Sequence, residues 1–345
     1  MKSVYVKPVR YALLCTLVIY SSCKRDPSSS TELSGNWHVA ADFKGDTRSE
    51  AAAFVINNTA YVLTGTSTYN GGAYNDMFAY DVDNNNWTQV TSLPSQPRNG
   101  SVAFAINGKG YIGTGYNDKM LMHDFWEYDP IAKTWIEKDA MPGDVRYDAT
   151  AFVINGKAYV CGGTNGRKAF NDTWEFDPSQ PKGQQWTERA SFPSKTRAAV
   201  AFTLDNKGYM VTGINSSSEI QKELYQYDPP PANKWTTKRP LYNYSNESYD
   251  DRYTSIIRQN AVAFVQGGYA FIATGENGAY VTSTWGYKAD TDTWTEFTGF
   301  ENKPRTGAVA FVVKDRCFVL TGNNGTLYMD NMFEFNPFVS KVEGD

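Results

Sequence analysis

Apolar residues along the chain fall into short runs separated by polar turns, and one phrase of this kind recurs. A small-apolar run such as Ala261–Phe264 comes first. A tight turn follows, Asn107-Gly108 or Asn155-Gly156, and leads into an aromatic run such as Lys109–Thr114 that stops at a glycine. Asn-Gly between apolar runs is a hairpin signal, and the closing glycine allows positive φ where the chain leaves the sheet. After a variable loop, Asp124–Asp129 alternates aromatic with polar residues, as a half-buried strand does. Pro130, Pro178 and Pro229 end this segment and its copies. A last strand carries a tryptophan. The pattern predicts four short strands per unit.

Six units are visible. The phenylalanine of the first strand recurs at Phe54, Phe104, Phe152, Phe202, Phe264 and Phe311, and the closing glycine at Gly65, Gly115, Gly163, Gly213, Gly275 and Gly322. The two series step in unison. Tryptophan gives a third series, Trp37, Trp87, Trp135, Trp186, Trp235 and Trp294, which starts one unit early. The last unit ends at Phe335-Asn336-Pro337 with no tryptophan after it, so Trp37 supplies the missing one.

Units of about 50 residues with four strands make β-propeller blades. The pattern, from about Trp37 to Pro337, resembles the kelch repeat. Its glycine doublet survives only as Gly162-Gly163; elsewhere it reads Thr-Gly, as at Thr64-Gly65 and Thr114-Gly115. The resemblance implies an all-β, six-bladed kelch-type propeller. A strand around Trp37 would pair with the C-terminal blade, removing both open sheet edges. Six separate small domains are excluded, since a lone four-stranded unit cannot bury its faces.

Composition and charge narrow the partners. With 20% charged and 15% aromatic residues, the chain is unlike a disordered one. A net charge of −4 argues against nucleic acid. Four cysteines are too few for a disulfide scaffold, and two histidines too few for most multi-His metal sites.

The N-terminus reads as an address. Lys2, Lys7 and Arg10 precede the mostly apolar stretch Tyr11 to Tyr20, and Ser21-Ser22-Cys23 follows. That order is a secretory signal, too short to span a bilayer. Small residues before Cys23 resemble a bacterial lipobox, with Tyr20 where leucine is usual. The resemblance implies lipidation of Cys23 and anchoring to a bacterial membrane, the outer one, facing the periplasm or the cell surface. The expected organisation is a signal peptide over 1–22, lipidated cysteine and flexible tether over 23–33, propeller over 34–338 and a tail over 339–345.

Candidate chemistry lies on one face. Strands in a blade alternate direction, so the loops between second and third strands share a face with the links between blades, and function favours such loops. Those loops, among them Thr66–Tyr74, Tyr116–Met122 and Ile214–Glu219, are rich in Asn, Gly, Ser and Tyr. An insertion between Trp235 and Arg258 carries Tyr242, Tyr244, Tyr249 and Tyr253, as a wall or lid of a pocket or as a pad on a neighbouring blade. Arg48, Arg98, Arg146, Arg258 and Arg305 open five first strands, while blade four has Thr196 in that slot and Arg197 one place late. A ring of arginines at the channel mouth suits an anionic ligand; the alternative is a tie to Asp76, Asp124 and Asp172 at the third strands, where blade four has Glu223. Two residues after each arginine the repeat varies, as Glu50, Gly100, Asp148, Asn260 and Gly307. Glu50 and Asp148 are the candidates for proton transfer.

Known chemistries on this fold leave other gaps. Galactose oxidases share it, but His38 and His123 stand in different strand contexts and no copper constellation is present. Cys161 and Cys317 read as buried free thiols, and opposite blades cannot be bridged by a disulfide. No sialidase Asp-box, nucleotide-binding glycine loop or serine-nucleophile elbow occurs. No cofactor or metal is expected. The chain resembles exported bacterial kelch-repeat lipoproteins labelled galactose-oxidase-like. That resemblance implies a membrane-tethered module binding a glycan, a peptide or an envelope protein. The alternative is a cofactor-free sugar-modifying enzyme such as a sialic-acid mutarotase or epimerase, a family that is also an exported six-bladed kelch propeller.

Overall fold

The computed structural model describes residue 1 and residues 34–69 and 71–342. The rest of the expected signal segment, Cys23 and the tether lie outside the described residues. Six four-stranded antiparallel sheets follow one another along the chain. Blade one consists of Ala52–Ile56, Thr59–Leu63, Met77–Asp81 and Asn86–Val90, in that spatial order, and the other blades repeat it. First strands alternate buried and half-buried residues, because one side lines the central channel. Second strands are buried almost throughout, because neighbouring blades cover both faces.

The core lies between blades rather than within them. Each first-strand phenylalanine stacks on the aromatic opposite it in the second strand, as Phe54 does on Tyr61 and Phe152 on Tyr159. It also meets an aromatic on the third strand of the next blade: Phe54 with Tyr128, Phe152 with Tyr227, and, across the ring closure, Phe311 with Tyr80. That third-strand ring is backed by the blade's tryptophan at 4.9–5.1 Å in blades one to five. The three repeated aromatic positions therefore form one cluster per blade junction, and such pairs add directional energy to plain burial.

The last blade is completed from the other end of the chain. Asn36–Val39 pairs antiparallel with Met332–Asn336, with Trp37 opposite Phe335. Trp37 is buried, lies 4.7 Å from the Phe335 ring and donates its indole N–H to the Thr298 carbonyl at 3.1 Å. The expected closure is present.

Two closed circuits of backbone hydrogen bonds bind the blades together. The N–H of each repeat glycine donates to the carbonyl of the arginine-slot residue of the next blade, from Gly65 to Arg98 round to Gly322 to Arg48, at 2.8–2.9 Å. Nearer the axis, Glu50 N–H donates to Gly307, Gly100 to Glu50, Asp148 to Gly100, Ala198 to Asp148, Asn260 to Ala198 and Gly307 to Asn260. These six residues all have φ between +51° and +61°. The left-handed conformation turns each N–H toward the preceding blade, and it costs a non-glycine residue about 1–2 kcal/mol.

Candidate functional site

The five slot arginines are withdrawn from the channel mouth. Arg48, Arg98, Arg146, Arg258 and Arg305 are all fully buried. Each guanidinium bonds the carbonyl two residues back and the carbonyl that ends its second strand, as Arg98 does with Gln96 and Thr114. In blades one to three it also grips Asp76, Asp124 or Asp172 bidentately at 2.5–2.8 Å. Burial raises the Asp124 pKa, but Arg98, Trp126 and Ser95 outweigh it and hold the group down at about 2. The expectation of an arginine ring facing an anionic ligand is thus corrected: these side chains staple each inter-blade link to its own blade. Blade five replaces the aspartate with Ser255 and Ser283, and blade six with Asn331.

Blade four breaks the pattern. Thr196 fills the slot, fully buried, with its hydroxyl on the Ser194 carbonyl. Arg197 is thereby released toward the axis, where its Nη1 lies 3.8 Å from Asp148 Oδ2. The same change explains the lone glycine doublet. The first doublet position has φ near +60° in every blade, and five blades place threonine there. At Gly162 a Cβ would stand 2.4 Å from the Thr196 carbonyl oxygen, so only glycine fits.

Around the axis, Glu50, Gly100, Asp148, Ala198, Asn260 and Gly307 line a pocket of about 150 Å³ on the loop face. Each acid leans over the glycine of the preceding blade. A Cβ on Gly100 would meet Asp148 Oδ1 at 2.9 Å, and one on Gly307 would meet Glu50 Cγ at 3.3 Å. Burial, and next the charge of Asp148, push Glu50 up to about 7 against the pull of Arg197. Burial likewise pushes Asp148 up to about 6, again opposed by Arg197. Each carboxyl is thus pushed toward its protonated form, and the charge of Asp148 makes the ionisation of Glu50 harder still. One acid can donate, the other accept, and Arg197 supplies a positive charge beside them. Tyr116 and Tyr147, the latter adjacent to Asp148 in the chain, form a pair of rings 5.2 Å apart.

A larger polar cleft of about 780 Å³ opens between the loops of blades four and five, walled by Ser194, Ile214, Glu219, Glu223 and Gln259 among others. None of the insertion's tyrosines lines either hollow, although its last residue, Ile257, lines the cleft. Tyr253 is buried in the junction of blades four and five, and its hydroxyl accepts the Trp294 N–H at 2.6 Å. Tyr249 is covered by Arg239, 4.4 Å from its ring, and donates to the Tyr244 hydroxyl. Only Tyr242 and Tyr244 are well exposed. The insertion is a pad on blade five rather than a lid over the axis. Cys161 and Cys317 are buried free thiols, pushed up to about 12 chiefly by burial.

Arg197 was the residue that sequence reasoning left unassigned; its shift of one place was the available signal. The tyrosine pair carried no signal, because Tyr116 and Tyr147 meet only across two blades.

Six four-stranded blades around an axis, with aromatic and glycine markers in each, define a six-bladed β-propeller. A family model described as the KLHDC2/KLHL20/DRC7 Kelch-repeats domain matches residues 144–322, and the chain belongs to the kelch-repeat family. Among solved structures it is similar to one titled "Structure of YjhT", at 18% identity and a TM-score of 0.69, covering 86% of this chain and 96% of that one. At that identity the likeness is one of fold. A search of curated proteins gives no match.

Proposed function

We propose that this propeller is an exported, membrane-anchored binding module of the bacterial envelope that takes a glycan over the axial pocket of its loop face. A peptide or an envelope protein is the competing occupant. The observation that carries the reading is the placing of Glu50 and Asp148 around the axial pocket with Arg197 beside Asp148, from the one blade whose arginine slot holds threonine. Carboxyls with raised pKa values can accept from or donate to sugar hydroxyls, and a guanidinium donates in a fixed fork. Tyr116 and Tyr147 add flat surfaces of the kind that sugar rings lie against. Export and anchoring rest on the lipobox-like sequence ending at Cys23. The test is calorimetry of the full chain against a glycan array's best members, with Arg197→Ala alongside. Binding should fall at least tenfold while the melting temperature holds. Unchanged affinity would remove Arg197 and the axial pocket from the site.

The raised pKa values of the acid pair favour a second reading, a cofactor-free sugar-modifying enzyme such as a sialic-acid mutarotase or epimerase. For mutarotation, the ionised acid takes the proton of the anomeric hydroxyl and the protonated acid gives one to the ring oxygen. The C–O ring bond breaks, a carbonyl forms, and closure on the other face returns both protons. NMR of anomer exchange on free sugars decides this. Glu50→Gln should abolish acceleration and spare binding; a wild-type rate equal to that in buffer sinks the enzyme reading alone.

A further inference from the structure

The axial pocket is too small to be a ligand site by itself. Its volume of about 150 Å³ lies below the roughly 300–1,000 Å³ of ordinary ligand sites, whereas the neighbouring cleft of about 780 Å³ lies within that range. The two hollows flank the same residues. Arg197 is followed by Ala198, which lines the axial pocket, and its backbone pairs with Ile214, which lines the cleft. Gln259 lines the cleft and the adjacent Asn260 the axis.

The cleft lies at the blade that lacks its arginine. In blades one to three the guanidinium bonds the carbonyl two residues back and the acid at the start of the third strand. In blade four those positions are Ser194 and Glu223, and both line the cleft. No arginine joins them, because the slot holds Thr196. Further along the wall, Gln259 donates to Glu276 through Nε2, while its buried Oε1 has no partner. A buried acceptor without a donor is a costly arrangement that a ligand hydroxyl would relieve.

We infer that the ligand is an oligosaccharide longer than one sugar unit, with its terminal unit over Glu50 and Asp148 and the following units laid along the cleft past Arg197. This rests on the glycan reading above and adds to it the length and direction of the ligand. The cleft wall is built from hydroxyl, amide and carboxylate groups beside three isoleucines, which suits the mixed edges and faces of sugar rings.

The experiment measures full-chain binding to an array of mono- to hexasaccharides together with a set of short peptides. Affinity should rise at least tenfold from the monosaccharide to the longer members of the preferred series, then level off. Glu219→Trp, at an exposed cleft position, should bring the longer members down to the monosaccharide's level. Monosaccharides bound as tightly as their oligomers would overturn the length inference and leave the glycan reading standing, as would Glu219→Trp without effect in a variant that melts normally. Peptides bound in place of sugars, or no carbohydrate bound at all, would overturn the glycan reading itself.

Discussion

Arg305 in blade six is a buried guanidinium with an incomplete set of partners, and Asn331→Asp completes it. Its Nη1 reaches the Thr321 carbonyl at 3.0 Å, but Nη2 has no partner, and neither does the Oδ1 of Asn331. Burial, opposed weakly by Asp330, lowers the Arg305 pKa from 12.5 to about 10. A shift of that size means that burying the cation costs about 3 kcal/mol. Aspartate at this place in blades one to three grips both guanidinium nitrogens. Charge-assisted bonds are worth about 1.5–3 kcal/mol each, and desolvating the new carboxylate offsets much of that. The net gain expected is about 1–2 kcal/mol. For the compact unit Leu33–Asp345 the unfolding entropy is roughly 0.65 kcal/mol/K, so the melting temperature should rise by roughly 1.5–3 °C. The new acid has a depressed pKa, so its contribution is present above the unfolded value of about 3.9 and fades as pH falls through the folded one. Asp172→Asn is the reverse experiment and should cost about 3–5 kcal/mol, since it strands a buried arginine. Both are read by calorimetry at pH 7 and again at pH 3. A drop in melting temperature for Asn331→Asp, or no change for Asp172→Asn, would refute the view that these ties hold the blades.

Three further outcomes are expected. Glu50 and Asp148 are raised in the folded state, so the unfolded chain releases their protons first and stability should decline as pH rises from about 4 to 7; Glu50→Gln should flatten that slope in urea titrations, and an unchanged slope would count against burial raising the Glu50 carboxyl. Gly162→Thr copies the residue of the other five blades but drives a Cβ into the Thr196 carbonyl, so the melting temperature should fall by several degrees, whereas a neutral result would mean that the loop moves freely. Trp37→Ala removes the aromatic seal of the closing strand and should cost about 3–5 kcal/mol in denaturant unfolding; a loss below about 1 kcal/mol would show that the ladder to Phe335 holds without it.

The fold was legible because its markers are physical requirements of a repeated junction. Phe54, Tyr61 and Tyr128 recur since each blade meets the next through the same three rings, and Trp37 comes early since blade six borrows it. The arginines were legible as positions, and their tie to Asp76, Asp124 and Asp172 as one of two roles. A guanidinium beside a channel and one stapled to Asp124 look alike in sequence; only burial tells them apart. The pair Glu50 and Asp148 was visible because it breaks the repeat, yet the release of Arg197 toward it depends on Thr196 filling the slot. The insertion misled in part, since tyrosines that pack and tyrosines that face solvent share one composition.

The closing strand also fixes on which side of the propeller its two ends lie. Asn36 pairs with Asn336, the last residue of a third strand, and third strands run from the loop side to the side of the short turns. Gly35 then bonds Val339, so both ends of the propeller emerge together at the rim of the turn side. Glu50, Asp148 and Arg197 stand on the opposite side. Fusions, affinity tags or surface immobilisation at either end should therefore leave the reading side open to ligand.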